Sequence, residues 1–213
     1  DDIVGRVINS KGAPTQEEVE KYQTAVLRFL GKKYAERGWV MQLHYGILRD
    51  MNSKMAAGLG SGAGFDCISA SSDGEGLALL LDLLSREEAL PKTVVSSMNP
   101  SDQVVIGSIL GAFQTEDEGH LQLGPSWWIN QTPLGIRAQL GYMASLGIIG
   151  TAIGFSTDAR SALFWPRHEY YRRILCDVLA SLVEEGLYPS DKDALGRLIR
   201  DVCYENTKKY FGI

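Results

Sequence analysis

Hydrophobic and polar residues alternate along the chain with two periods, one typical of helices and one typical of strands. From Thr15 to Gly38 the apolar positions repeat at helical spacing, and the segment Thr15-Gln-Glu-Glu18 predicts a capping box at the helix start. The run WVMQLHYGI around residues 39–47 predicts a short buried strand. Residues 52–72, with GLGSGAGFD at their centre, show no period, and such a long irregular loop is more often functional than idle.

The alternation continues to the end of the chain. Further strands are predicted in KTVVSSM, HLQLG and IIGTAIGFST, and further helices at about residues 76–90, 101–114, 133–146, 161–185 and 191–210. Four strands alternate with helices without hairpin signals, which is typical of βαβ units and a parallel sheet. The pattern fits either a (β/α)8 barrel, which takes about 250 residues, or a doubly wound sheet. Because no linker-like stretch interrupts it, we predict a single unit over residues 1–213.

Composition and charge narrow the classes of partner. The 213 residues are 45% hydrophobic and 22% charged, as in ordinary soluble proteins, and the net charge of −5 argues against nucleic acid as a partner. Cys67, Cys176 and Cys203 are far apart and form no CxxC, which favours a reducing compartment over a disulfide framework or a zinc ribbon. The sequence shows neither a leader peptide nor a membrane span, so we expect a cytoplasmic protein without a membrane partner.

Polar and aromatic side chains follow the carboxyl ends of the predicted strands. In chain order they are His44 and Arg49; Ser96, Ser97 and Asn99; Trp127 and Trp128; and Thr157, Asp158 and Arg160. The carboxyl ends of parallel strands share one face, and active sites of such folds lie there. The sequence therefore predicts a cluster with the character of a metal-ligand and anion-binding site.

The same residues also have structural explanations, and the sequence leaves these open. His44 is explained almost equally well as a hydrogen-bonded core residue, and Asp158 as the N-cap of the helix that follows. Arg49 and Arg160 can pair with surface carboxylates. Position at a strand end favours function only modestly, so the individual residues do not decide between these readings.

Other motifs favour structure over chemistry. Trp127-Trp128 is more often part of a core or an interface than a ligand-stacking pair, and Arg167-His168-Glu169 predicts a structural ion-pair group at a helix start. GLGSGAG lacks both the GxxxxGKS/T pattern and a strand-borne GxGxxG, so its glycines are only a weak signal of a phosphate-binding loop. Ser96-Ser97 lies outside any GxSxG elbow, which disfavours a serine hydrolase.

Six ordered segments together resemble one family. They are GWVMQLHYGILRD, LPKTVVSSMNPSD, LGPSWWIN, GFSTDARS, RHEYYRRIL and RDVCYENTKKYFG, and in this order they resemble the uronate isomerase (glucuronate isomerase) family of the amidohydrolase superfamily. The resemblance implies an α/β fold that is the C-terminal half of a (β/α)8 TIM-type barrel, with about four βα units and C-terminal helices. Family members are about twice as long, and their His-x-His pair is absent here. We therefore expect the N-terminal half of the barrel as a partner, within a homo-oligomer.

The resemblance also implies roles for individual residues. His44 matches a histidine at or beside the metal, and Asp158 matches a metal ligand that is also the catalytic acid/base candidate. Arg49 and Arg160 match substrate-binding arginines, and Trp127 matches a tryptophan of the substrate pocket. The implied cofactor is a divalent metal, with zinc expected, and no nucleotide cofactor is required.

The implied reaction is the aldose–ketose isomerisation of hexuronates by enediol proton transfer. D-Glucuronate would give D-fructuronate, and D-galacturonate would give D-tagaturonate. One alternative is a metal-dependent hydrolase of the amidohydrolase type, in which the same aspartate activates a metal-bound water. Another is a catalytically silent structural fragment, which the missing His-x-His pair favours for this chain in isolation.

Overall fold

The computed structural model describes residues 2–9, 12–70, 73–117, 119–159 and 161–213. Its helices are α1 (Asp2–Ile8), α2 (Gln16–Arg37), α3 (Ser53–Leu59), α4 (Gly74–Arg86), α5 (Asp102–Ala112), α6 (Pro133–Leu146), α7 (Arg167–Glu184), α8 (Lys192–Arg200) and α9 (Asn206–Phe211). Its strands are β1 (Met41–Tyr45), β2 (Ile47–Leu48), β3 (Cys67–Ile68), β4 (Thr93–Ser97) and β5 (Leu121–Leu123). Short 3-10 turns span Trp128–Asn130, Ile149–Thr151 and Ala162–Phe164, and a π-helical turn spans Asp201–Glu205.

The chain divides into two compact units. The first comprises Asp1–Met41 and Glu75–Lys92, and the second comprises Gln42–Gly74 and Thr93–Ile213. A single unit over residues 1–213 therefore stays a prediction. Within the residues that the structure describes, no helix has both the length and the apolar character needed to cross a membrane.

The first unit is built on α2 and α4. The predicted capping box is confirmed, because the Thr15 side chain accepts from the Glu18 N–H and the Glu18 carboxylate accepts from the Thr15 N–H at 2.8 Å. α2 ends at Gly38, whose φ of 64° suits glycine. Gly31 lies against α4, where a Cβ would stand 2.8 Å from Leu84 Cδ1, so these two helices pack closely.

The second unit contains a parallel sheet. β1, β4 and β5 form three neighbouring strands in that order, and β4 pairs with β5 in parallel, with Thr93 opposite Leu121 and Val95 opposite Leu123. Every residue of β4 and β5 is buried, as expected for parallel strands covered on both faces. The predicted α/β class with parallel pairing is confirmed for these strands.

The segment predicted as an irregular loop is more ordered than expected. Residues 53–59 form α3, and β2 pairs with β3 in antiparallel register, with Ile47 opposite Ile68 and Leu48 opposite Cys67. Residues 71 and 72 lie outside the described part of the chain. The chain after β2 therefore folds back so that β3 pairs with β2.

The predicted fourth strand, IIGTAIGFST, is wrong. Residues 149–159, called the Asp158 segment below, begin with a 3-10 turn and continue without regular secondary structure outside either sheet. Side-chain amides, rather than a neighbouring strand, donate hydrogen bonds to its backbone carbonyl oxygens. These bonds run from Asn206 Nδ2 to Gly150 O (2.7 Å) and Ala152 O (3.0 Å), from Gln122 Nε2 to Thr151 O (3.0 Å), and from Gln131 Nε2 to Ser156 O (2.6 Å).

The predicted last helix consists of α8, the π-helical turn and α9. The π-helical turn lies against the Asp158 segment so closely that a Cβ on Gly154 would collide with the Val202 carbonyl oxygen. Because only glycine permits this approach, Gly154 and the turn fix the path of the chain toward Asp158.

Candidate active site

His44, Trp127 and Asp158 lie together in the second unit. His44 lies near the end of β1, and its ring centroid is 4.5 Å from that of Trp127 with the planes tilted by 48°. The Trp127 indole Nε1 donates a hydrogen bond of 3.2 Å to Asp158 Oδ2. The three residues come from β1, from the loop after β5 and from the Asp158 segment, so the fold brings together residues that are distant in sequence.

The surroundings of His44 favour a neutral imidazole. Burial lowers the pKa of His44 below its ordinary value, and the nearby Asp158 carboxylate raises it only in part. A neutral imidazole has a free lone pair on one nitrogen. His44 is therefore suited to accept a hydrogen bond or to bind a metal ion.

A first cavity of about 390 Å³ opens between these residues. Its lining includes His44, Ser96, Trp127, Asp158, Phe155 and His168. The Phe155 ring meets His168 edge-on at 5.9 Å. The cavity thus combines two imidazoles, one carboxylate and aromatic walls, which is a composition suited to a small polar ligand.

A second cavity, also of about 390 Å³, shares Trp127 and Asp158 with the first. Arg49, Trp128 and Arg167 line it. The Arg49 guanidinium lies 5.6 Å from the Trp128 ring centroid, within cation–π range. Asp158 therefore lies on the boundary between a cavity with imidazoles and a cavity with guanidinium groups.

Arg49 is held at one end by a buried carboxylate. Its Nη1 donates to Asp66 Oδ2 at 2.9 Å, and the Asp66 side chain is only 1% exposed whereas that of Arg49 is 59% exposed. The pairing that the sequence left open is thus with a buried aspartate rather than a surface carboxylate. Arg49 also lines the second cavity, where guanidinium N–H groups can bind an anion or hydroxyl groups.

The glycine-rich loop fixes the backbone beside Arg49. Asp50 N–H donates to Asp66 Oδ1 at 2.7 Å, while the Asp50 carboxylate accepts from Ser61 Oγ at 2.5 Å and from Gly62 N at 3.1 Å. These bonds, with the charge of Arg49, hold the pKa of Asp50 below its ordinary value. The loop GLGSGAG therefore contributes hydrogen bonds that order Asp50, the residue after Arg49.

Strained backbone conformations concentrate at this site. Among the described non-glycine residues, four have a positive φ, and three of them are Asp50 (52°), Trp128 (49°) and Asp158 (47°). Such conformations cost free energy and persist where surrounding contacts impose them, commonly in functional sites. The backbone at Asp158 is therefore fixed by its tertiary contacts rather than by local preference.

Arg167 and His168 are site residues that the sequence reasoning assigned to structure. Glu169 does pair with Arg173, at 2.6 Å, but Arg167 donates instead to Gln131 Oε1 at 2.8 Å and lines the second cavity. His168 lines the first cavity. Their occurrence in the segment RHEYYRRIL, itself part of the family pattern, was the available signal.

The remaining strand-end residues divide between the cavity and the helix behind it. Ser96 lines the first cavity, whereas Ser97 donates to Asp102 Oδ2 at 2.5 Å and accepts from the Asn99 N–H at 3.1 Å. Ser97 and Asn99 therefore organise the start of α5. Arg160 lies outside the described residues.

His44 and Asp158 offer donor types that suit zinc, an imidazole nitrogen and a carboxylate oxygen. Catalytic zinc sites commonly use three protein ligands, and no group of three such side chains is placed for a metal within the described ranges. The donor chemistry of these residues fits a metal, but their number does not complete a site.

A comparison of the whole chain with known protein families identifies the family to which it belongs. The model of the glucuronate isomerase family matches residues 1–211. The chain belongs to the glucuronate isomerase family. The family resemblance of the six sequence segments is thereby confirmed.

Individual members of the glucuronate isomerase family agree with this. The uronate isomerase of Bacillus licheniformis is 45% identical over 210 residues, which are 98% of this chain and 44% of the relative. The solved uronate isomerase of Thermotoga maritima superposes with a TM-score of 0.84 at 31% identity, over 94% of this chain and 43% of that structure. The glucuronate isomerase of Caulobacter crescentus gives 0.82 at 26% identity, over 95% and 41%. The chain thus spans less than half the length of these glucuronate isomerase relatives.

Proposed function

We propose that this chain forms part of an enzyme for the aldose–ketose isomerisation of hexuronates, D-glucuronate to D-fructuronate and D-galacturonate to D-tagaturonate. The observation that supports it is the position of Asp158 on the boundary of two cavities, with His44 in one and Arg49 in the other. A sugar acid has both hydroxyl groups and a carboxylate, which these two cavities could bind. The names of the relatives, uronate and glucuronate isomerase, agree with this substrate class.

The reaction needs a base and a stabiliser of developing negative charge. The proton on C2 is removed, the C1 carbonyl becomes an enediol or enediolate, and a proton returns to C1 while C2 becomes the carbonyl carbon. Oxidation at one carbon balances reduction at the other, so no nucleotide cofactor is consumed. Asp158 takes or relays the proton, and the Trp127 indole N–H holds its carboxylate in place.

The arginines hold the sugar acid and offset charge. Arg49 offers its exposed guanidinium edge to the substrate carboxylate or hydroxyls while Asp66 fixes the other edge. Arg160, two residues beyond Asp158 in the sequence, is proposed as the second substrate arginine. Trp127 lines both cavities and is proposed to shape the substrate pocket.

The proposed cofactor is a divalent metal, zinc by donor type, with His44 and Asp158 as two of its ligands. A bound divalent ion would supply positive charge beside the sugar oxygens. The further ligands would come from the N-terminal half of a (β/α)8 barrel. Gln42 is exposed and His44 is partly buried. β1 lies at an edge of its sheet, where unpaired backbone groups favour the addition of another strand.

We further propose that the assembled protein is a cytoplasmic homo-oligomer. On this account the chain alone is inactive, because two ligands do not complete the metal site. Its exposed sheet edge would also favour association. An isolated chain that is monomeric and unfolds cooperatively would contradict the need for a partner.

The test is conversion of D-glucuronate to a ketouronate, followed by chromatography. The complete polypeptide that carries this sequence is expected to form ketouronate with added zinc. Residues 1–213 alone are expected to form none until the N-terminal half is supplied. Release of an acid or amine from an amide or ester, without ketouronate, would instead favour a hydrolase.

A further inference from the structure

The side chain of Gln131 joins three segments around the second cavity. Its Nε2 donates to Ser156 O at 2.6 Å and to Ser126 O at 3.3 Å, and its Oε1 accepts from Arg167 Nη1 at 2.8 Å. One amide therefore connects the Asp158 segment, the loop after β5 and the start of α7. Gln131 is also among the residues that line the second cavity.

We propose that Gln131 is a positioning residue for Asp158, an inference that rests on the proposed function. Its partner Ser156 stands two residues before Asp158, and Gln131 itself follows Trp127 by four residues in the same loop. Gln131 thus holds both the segment with the carboxylate and the loop with the indole that binds it. The distance between Trp127 and Asp158 is set in part by this amide.

Asp158 needs such support because its own backbone does not favour the observed conformation. Its φ of 47° lies in the left-handed region, and the Asp158 segment lies outside both sheets. Where strand pairing would normally fix a catalytic residue, the Gln131 amide holds the Ser156 carbonyl. Misplacing a reacting group by about 1 Å can cost on the order of a hundredfold in rate, so a small shift of this segment matters.

The chemistry of its neighbours fixes which way the Gln131 amide points. Two carbonyl oxygens face Nε2, which is a donor, and a guanidinium faces Oε1, which is an acceptor. A glutamate at this position would keep the bond to Arg167. It would also place a carboxylate oxygen against the carbonyls of Ser126 and Ser156, where it would be repelled. Gln131→Glu therefore breaks the bonds to Ser156 of the Asp158 segment and to Ser126, and keeps the bond to Arg167.

The experiment uses the complete polypeptide that carries this sequence and compares Gln131→Glu with two controls. Gln122→Glu removes amide-to-carbonyl bonds to Thr151, seven residues before Asp158, and to Gly119, and it controls for lost stability. Gln16→Glu removes an exposed amide bond on α2 and controls for charge. Gln131→Met, which has no polar group, is a second test variant that adds no charge.

The first measurement is the NMR resonance of the Trp127 indole N–H, assigned by its loss in Trp127→Phe. Gln131→Glu and Gln131→Met are expected to shift this resonance in the direction given by Asp158→Asn. The two controls are expected to leave it unchanged. The second measurement is turnover of D-glucuronate, in which the Gln131 variants should lower kcat by roughly tenfold or more with a smaller change in KM.

Two results would overturn the positioning role of Gln131. One is a Trp127 resonance and a kcat in both Gln131 variants that match the unsubstituted protein. The other is a shift in Gln122→Glu as large as that in Gln131→Glu, which would mean that general loosening explains both. If the unsubstituted protein forms no ketouronate, the proposed function fails, while the Trp127 resonance still decides whether Gln131 positions Asp158.

Discussion

Trp127 donates its indole N–H to the Asp158 carboxylate at 3.2 Å, across 31 positions of sequence. The same indole packs on the His44 ring at 4.5 Å. Trp127 therefore connects the proposed acid/base, Asp158, to the histidine near the end of β1. Its two contacts use different properties, since one needs the N–H group and the other needs only the aromatic surface.

Replacing Trp127 by phenylalanine separates these two contacts. Phenylalanine keeps an aromatic face for His44 but gives Asp158 no donor. Hydrogen bonds to charged groups contribute about 1.5–3 kcal/mol, so we expect kcat for D-glucuronate to fall roughly tenfold or more. Trp165→Phe is the matched control, since Trp165 is 70% exposed. Equal turnover in the two variants would mean that the indole N–H has no part in the reaction.

Asp66 is expected to control substrate binding through Arg49. Asp66→Asn removes the charge that holds Arg49 and disturbs the bond to the Asp50 N–H. We expect KM for D-glucuronate to rise roughly tenfold and the free energy of unfolding to fall by about 1–3 kcal/mol, since a buried hydrogen-bonded group is altered. Steady-state kinetics and urea unfolding measure the two effects. Asp82→Asn, in an exposed helical ion pair with Arg86, is the control; if it matches Asp66→Asn in both measurements, Asp66 has no special role.

The glycine-rich loop is expected to loosen in acid. The folded pKa of Asp50 lies below its ordinary value of 3.8, because Ser61 and Gly62 donate to the carboxylate. The stabilisation is therefore complete above that ordinary value and is lost as the pH falls through the lower folded pKa. Limited proteolysis at residues 58–64 should accelerate over that acid range, and Asp50→Asn should show the faster cleavage already at neutral pH. Cleavage that is slow and independent of pH in both proteins would contradict this.

Two glycines of the Asp158 segment provide a matched pair. A Cβ on Gly154 would collide with the Val202 carbonyl oxygen, whereas a Cβ on Gly150 would meet open space. Gly154→Ala should therefore lower the free energy of unfolding by about 1–3 kcal/mol, as other overpacking substitutions do, while Gly150→Ala should change it little. Thermal unfolding of both variants measures this. Similar values for the two would show that the close approach to the π-helical turn is not important.

Local periodicity predicted most of the secondary structure because the corresponding elements are stabilised along their own length. The Thr15 capping box and the Gly38 stop define α2, and continuous apolar runs define β4 and β5. The Asp158 segment has the same apolar character, but its carbonyls bind the side chains of Gln122, Gln131 and Asn206. The local sequence pattern does not indicate hydrogen-bond partners that are so far away in sequence. This explains why the strand prediction is wrong.

In the candidate site too, some features could be predicted from the sequence and others depend on tertiary contacts. His44 and Trp127 could be selected because strand ends converge in a parallel α/β fold. Asp158 was selected on the same ground, although no strand precedes it, and the structure places the three together. Arg167 was assigned to an ion pair because its sequence neighbours are charged, whereas its observed partner Gln131 is 36 positions away. Roles within a site thus follow from tertiary contacts that the sequence does not display.

The most direct test of the account is the turnover of D-glucuronate by Asp158→Asn in the complete polypeptide. Asparagine keeps the size of the side chain and an acceptor for the Trp127 indole, but it cannot take a proton from C2. We predict that kcat falls by at least roughly a hundredfold, in line with the contribution of a general base, while Asp82→Asn retains full activity. Ketouronate formation by Asp158→Asn at the rate of the unsubstituted enzyme would contradict the role of Asp158 as the base.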